Sequence, residues 1–151
     1  MNRTMLDYAN TKNFGAYLDQ TYKIIKQQYQ RAFRHAGIDI TPEQWIVLSN
    51  LYEKDGPTQK DLAGHSFKHA ATLSRIVDLL GRRGLLERRP DDADKRSYRI
   101  YLTDAGRVLV EQAFPVVLEL RRVGWKGNSD ADYEQLVRIL NTVCDNFMSE
   151  T

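Results

Sequence analysis

The stretch Leu73-Ser74-Arg75-Ile76-Val77-Asp78-Leu79-Leu80-Gly81-Arg82-Arg83-Gly84-Leu85-Leu86-Glu87-Arg88-Arg89-Pro90-Asp91-Asp92-Ala93-Asp94-Lys95-Arg96-Ser97-Tyr98-Arg99-Ile100-Tyr101-Leu102 decides the fold. Leu73, Ile76, Val77 and Leu80 stand at i, i+3, i+4 and i+7, which predicts a helix over about 69–83 with one buried stripe. At 100° per residue Lys68, Ala71, Arg75, Asp78 and Arg82 point away from that stripe, and Thr72 and Ser74 lie on its flanks. The exposed face is narrow and positively charged. Gly84 is placed to end the helix in a left-handed conformation, and residues 85–89 and 98–102 read as two short strands. Between them, Pro90 to Ser97 holds nothing apolar larger than alanine, so this tip is expected to project into solvent as a wing.

Upstream, Phe14, Leu18, Tyr22, Ile25, Tyr29, Ala32 and Phe33 recur at helical spacing and predict a long amphipathic helix closed by Gly37. Thr41-Pro42-Glu43-Gln44 opens a second helix, running to about Lys54, with a capping residue, a proline at the first helical position and a glutamine in capping-box register. Asp55-Gly56-Pro57 breaks the chain, and Thr58-Gln59-Lys60-Asp61 starts a short third helix ending near His65. Downstream, Thr103-Asp104-Ala105-Gly106 caps a fifth helix whose apolar run from Val108 to Val123 is expected to bend or break at Pro115. After Gly127-Asn128-Ser129-Asp130 a last helix carries Tyr133, Leu136, Val137, Leu140, Val143, Cys144 and Phe147.

The protein is therefore expected to be mainly α: one domain over 1–151, with a three-helix core and two-stranded wing at 41–102. The flanking helices at 1–37 and 103–151 carry apolar faces too wide for so small a lobe, which points to a second copy of the chain covering them.

Length and composition narrow the functional classes. At 151 residues the chain is too short for two large domains. With 42% hydrophobic and 28% charged residues and no apolar run near the roughly 18 residues that span a bilayer, a membrane-spanning protein is not expected. Residues 1–7 lack the pattern of a secretory leader, so a cytoplasmic location is expected. One cysteine and three scattered histidines supply neither a disulfide nor a zinc site. Asp91, Asp92 and Asp94 lie among cations and lack the spacing of a calcium loop, and Cys144 reads as a small hydrophobe on an apolar face. No catalytic or nucleotide-binding motif is present, and no metal or cofactor is expected. The net charge of +2 conceals a partition: residues 54–107 hold twelve Lys and Arg against eight Asp and Glu, and the rest holds ten against twelve. A basic centre between slightly acidic ends suits a polyanionic partner.

A short helix, a turn at Ser66-Phe67-Lys68, a second helix with one polar basic face and then a basic hairpin form a winged helix-turn-helix pattern. Residues 41–110 resemble the MarR (multiple antibiotic resistance regulator) family. The matching segments are Thr41 to Trp45, Gly56 to Ala63, Ala71 to Asp78 and Arg83 to Arg88, with Asp94-Lys95-Arg96 followed by Leu102-Thr103-Asp104-Ala105-Gly106 as the wing signature. The resemblance implies a homodimeric transcription regulator, a repressor released by a small, often aromatic ligand, that binds a pseudo-palindromic duplex DNA operator and is not an enzyme.

It further implies that Lys68, Ala71, Thr72, Ser74 and Arg75 face a major groove. In the wing, Arg96 enters a minor groove, Asp94 braces it and Lys95 accompanies it. A planar, weakly hydrated guanidinium suits a narrow groove of concentrated negative potential. Arg75 has an alternative partner in Asp78 three residues on. Tyr22, Tyr29, Trp45 and Phe114 are the aromatic candidates for an effector pocket, with core packing as the competing role. A ligand-insensitive DNA binder, architectural or regulated by partner proteins, and a winged-helix protein-interaction module that has lost DNA binding are the other readings. Two positions depart from the family pattern: His69 stands where relatives often carry an aspartate cap, and Gly81 replaces a helix former.

Overall fold

In the computed structural model, which describes residues 12–64 and 70–150, Leu73, Val77 and Leu80 are buried and Ile76 is half-buried. The stripe deduced from spacing is the inner face of a helix over Ala70–Arg82. In chain order the elements are α1 (Phe14–His35), α2 (Pro42–Glu53), α3 (Gln59–Ala63), α4 (Ala70–Arg82), β1 (Leu86–Pro90), β2 (Tyr98–Leu102), α5 (Asp104–Trp125) and α6 (Asp130–Ser149). The strands form one antiparallel hairpin in which Leu86 pairs with Leu102 and Pro90 with Tyr98. The chain divides into two compact units between Leu120 and Arg121. In the first, α2, α3 and α4 pack on one another and on the base of the hairpin, the arrangement of a winged helix-turn-helix.

Local chemistry places the ends of these helices. The Thr41 hydroxyl accepts from the Gln44 N–H at 3.1 Å while Gln44 Oε1 accepts from the Thr41 N–H at 3.1 Å, the reciprocal pair that satisfies two donors at a helix start. Thr58 with Asp61 and Ser129 with Asp132 repeat the device at α3 and α6. At the far end of α4, Gly84 adopts φ +69°, and the N–H groups of Gly84 and Leu85 donate back to Gly81 and Leu80. That crossed pair reverses the chain within two residues and delivers Leu85 and Leu86 to the core.

The core centres on Val47, Leu48 and Leu51 of α2, Leu73, Val77 and Leu80 of α4, and Ile100 of β2, all nearly or fully inaccessible. Val110, Ala113 and Val117 of α5 close it on one side, and Phe33 and Trp45 on another. Helix α1 buries only Phe33 in this core, with Tyr29 packed half-buried against it, and α6, in the second unit, buries none of its residues. Among the described residues no helix is long and apolar enough to cross a membrane.

Three expectations change. Helix α3 stops at Ala63, because Gly64 turns to φ +31° directly after it. Helix α5 passes through Pro115 unbroken; Glu111 and Pro115 both lie on an exposed face, where water can reach the carbonyl that the ring leaves without a donor. Finally, β1 runs one residue later than the sequence suggests, which carries the pairing out to Pro90 and alters the surroundings of the wing loop.

Candidate nucleic-acid interface

The polar face of α4 presents Ala71, Thr72 and Arg75 to solvent, with Ser74 half-buried at the flank. Lys68 and His69 lie outside the described residues. Arg75 does not take Asp78 as its partner. That carboxylate instead receives Arg88 Nη1 from β1 at 2.6 Å, and Arg88 Nη2 reaches Gln59 Oε1 of α3 at 3.3 Å. One guanidinium thereby ties three elements together, and Arg75 forms no ion pair among the described residues. Arg89 is also engaged, lying 4.2 Å over the Tyr101 ring and bonded to Glu87.

The Leu-Thr-x-x-Gly segment joins the wing to the end of α4. The Thr103 N–H donates to Leu85 O at 3.2 Å, its hydroxyl donates to Gly84 O at 2.6 Å, and the same hydroxyl accepts from the Gly106 N–H at 3.1 Å. A Cβ on Gly106 would lie 2.0 Å from Leu85 O, so only glycine allows this approach. The motif is a clamp that holds hairpin and helix in fixed relation.

The wing loop is ordered by its own backbone. The Asp91 N–H donates to Ser97 O at 3.0 Å and the Ser97 N–H to Asp94 O at 2.9 Å. Asp94 Oδ1 accepts from the backbone N–H of Arg96 at 3.0 Å, so the brace acts on the main chain of Arg96 rather than on its guanidinium. Lys95 and Arg96 are exposed at the tip.

Asp91 corrects the expectation of a wholly solvated tip: it is only 8% exposed. Oδ1 accepts from the Ala93 N–H at 2.9 Å, and Oδ2 lies 3.2 Å from Arg99 Nε. The Ala93 amide, reinforced by the Arg99 guanidinium and against the opposing effect of burial, holds this carboxyl below the usual carboxylate range. A signal for the pair was present in the sequence: with Pro90 opposite Tyr98, residue 91 falls diagonal to residue 99 across the ladder. Ending β1 at Arg89 hid it.

The four aromatic candidates separate. Trp45 is a core residue, 4% exposed and packed 6.2 Å from the Phe33 ring, which leaves almost none of its surface for a ligand. Tyr29 stacks edge-on against Phe33 at 5.9 Å and is half-buried, whereas Tyr22 and Phe114 are about half exposed. A cleft of about 660 Å³ beside the 55–57 turn is lined by Asn50, Lys54, Asp61 and Arg99 among others and includes none of the four. Cys144 is exposed, and among the described residues no group of three or more His, Cys, Asp or Glu is placed to hold a metal.

Comparison with known proteins agrees with this geometry. A family model described as the MarR family matches residues 38–97, from the start of the helix-turn-helix lobe to the end of the wing loop. The transcriptional regulator HosA of Escherichia coli O111:H- is 31% identical over 90 residues, covering 60% of this chain and 67% of that protein. The structure of S. aureus MepR in complex with DNA superposes with a TM-score of 0.78 at 27% identity, over 89% of this chain and 98% of that one. BpsR of Bordetella bronchiseptica, whose DNA binding is regulated by 6-hydroxynicotinic acid, superposes with a TM-score of 0.77 at 24% identity, over 88% and 99%. With a winged helix-turn-helix whose Leu-Thr-x-x-Gly clamp, basic helix face and basic wing tip all stand in place, the chain belongs to the MarR family of DNA-binding transcription regulators, which are not enzymes.

Proposed function

We propose that the protein is a repressor that acts in the cytoplasm as a homodimer on a pseudo-palindromic duplex operator and is released by a small aromatic effector. The observation that carries the DNA reading is the state of its cations. Of the described basic residues on α4 and the wing, Arg88, Arg89 and Arg99 are tied to protein groups, while Arg75 and Arg82 on the helix and Lys95 and Arg96 at the wing tip are exposed and form no ion pair among the described residues. Uncompensated charge at two separated points of one compact unit suits a helix in the major groove and an arginine in the adjacent minor groove. Asp94, Ala71, Thr72 and Ser74 complete that surface, and Lys68 belongs to it by sequence.

The dimer is supported by apolar surface left uncovered. Phe14, Leu18, Tyr22 and Ile25 form one stripe along α1, each between 42% and 53% exposed, and α6 exposes Tyr133, Leu136 and Val137. Apolar stripes of that kind are costly in water and are covered when a second copy pairs. Occupancy of an operator by such a dimer excludes other proteins from the DNA beneath it, hence repression. An effector dissociates the complex only if it binds the DNA-incompetent arrangement more tightly, each 1.4 kcal/mol of difference being about tenfold in DNA affinity. Phe114, which keeps about half its surface and lies outside that stripe, is the better aromatic candidate for that contact; Tyr22 belongs to the stripe that pairing covers, and Tyr29 is half-buried.

Selection from a random duplex library at two salt concentrations tests the reading. The expected product is an inverted repeat with half-sites about one helical turn apart, with affinity falling steeply as salt rises. Salt-sensitive retention without enrichment of any sequence would refute sequence-specific repression. A panel of aromatic acids, scored by thermal shift and by release of the selected duplex, tests the effector.

A further inference from the structure

Arg99 stands in β2, three residues beyond the wing-tip arginine, yet its side chain turns away from the tip. The next residue of the strand is stitched to the α2–α3 turn, since the Ile100 N–H donates to Pro57 O at 3.0 Å and the Ile100 carbonyl accepts from the Gly56 N–H at 3.0 Å, and Arg99 itself forms a bridge with Thr58. From that anchored position Nη1 donates to Gly56 O at 2.9 Å and Nε meets Asp91 Oδ2 at 3.2 Å. One planar cation thus spans the body of the helix-turn-helix and the first residue of the wing loop. Asp91 is the residue whose N–H to Ser97 O closes the loop that carries Lys95 and Arg96. We propose that Arg99 is a positioning residue for DNA reading, pinning the closed wing loop to the helix-turn-helix body through Asp91 so that Arg96 is presented at a set height and angle.

This rests on the DNA reading assigned to the wing above. Arginine suits the task because its guanidinium offers fixed donors in different directions within one plane, and a lysine ammonium cannot serve Gly56 O and Asp91 with the same geometry. The pin acts before DNA arrives. A tip already ordered loses less conformational freedom on binding, which raises affinity without adding a contact.

Two substitutions isolate the pin. Asp91→Asn keeps an oxygen for the Ala93 N–H but removes the charge facing Arg99, and Arg99→Lys keeps the charge but not the two-way geometry. Without DNA, amide exchange at residues 91–97 is expected to quicken in both variants while exchange in α4 stays unchanged. With the selected operator, affinity is expected to fall by about tenfold, because the tip must then be ordered on binding. The slope of log K against log salt should be preserved, since no phosphate contact is lost. Reselection should show weakened preference only at the outer positions read by the wing.

In a third variant, Arg99→Gln, a salt slope smaller by about one would make Arg99 a direct phosphate contact and overturn the positioning role. Unchanged exchange and affinity, or preference lost evenly across the site, would overturn it as well. If the parent protein selects no operator, the functional reading fails, while the exchange measurement still decides whether the pin exists.

Discussion

At the wing tip the backbone N–H of Arg96 is held by Asp94 while its guanidinium stands in solvent without an ion pair among the described residues. Arg96→Ala is therefore expected to weaken operator binding by about 1–3 kcal/mol while the urea midpoint stays where it is. Equal affinity of parent and variant in a titration would remove Arg96 from the interface. Two glycines make a contrasting pair. Gly106→Ala drives a methyl to 2.0 Å from Leu85 O and is expected to destabilise by about 1–3 kcal/mol. At Gly81 the nearest atom to an added Cβ is Leu86 Cδ1 at 3.7 Å, ordinary contact, so Gly81→Ala is expected to stabilise by about 0.5–1 kcal/mol. Denaturant unfolding of the two variants reads both signs. At this scale the sequence was informative about residue types and not about partners. Arg75, Arg88, Arg96 and Arg99 look alike on paper, and of the four only Arg88 and Arg99 have an ion-pair partner among the described residues.

Elements are joined by ion pairs that helical periodicity cannot reveal. Lys26 of α1 bonds Glu43 of α2, linking the N-terminal helix to the first helix of the reading lobe. Burial alone would raise the Glu43 carboxyl, but the Lys26 ammonium and local hydrogen bonds outweigh it and the net shift is downward. The Glu43 hydrogen bond in turn raises Lys26, against a smaller opposing effect of burial. Because the folded Glu43 value lies below the unfolded one near 4.3, its contribution is full above that pH and is lost as pH falls through the folded value. Lys26 behaves oppositely: its contribution is full below about 10.4 and is lost as pH rises beyond it. Both groups are partly exposed, so the pair contributes about 0.2–1 kcal/mol. The carboxyls of Asp61 and Asp132, hydrogen-bonded by Thr58 and Ser129 in their capping boxes, and of Asp91 shift downward too. Stability is thus expected to decline below about pH 4–5, where carboxylates protonate, and Glu43→Gln to flatten part of that decline. An acid limb of unchanged steepness, followed by thermal unfolding, would discount the α1–α2 link. Element ends were easier to foresee, because Thr41 with Gln44, Thr58 with Asp61, and Gly84 act within a few residues of themselves.

For the whole molecule, every buried core residue among the described residues lies from Phe33 to Val117, and α6 buries none. Removing residues 130–151 is accordingly expected to leave a folded chain that no longer pairs. The expected result is a one-chain mass in sedimentation with the helical signal of the remaining elements retained. A dimeric truncation would move the interface away from the C-terminal helix. The sequence by itself determined the order of elements, the inner face of α4, the glycine stops and the family, because spacing and capping are local and the core needs only apolar residues in the right period. The tertiary structure alone decided which cations are free, where Trp45 goes and what Asp91 does. Those outcomes depend on residues brought together across the chain, such as Gln59 with Arg88, or Gly56 with Arg99, and on the burial that only packing creates.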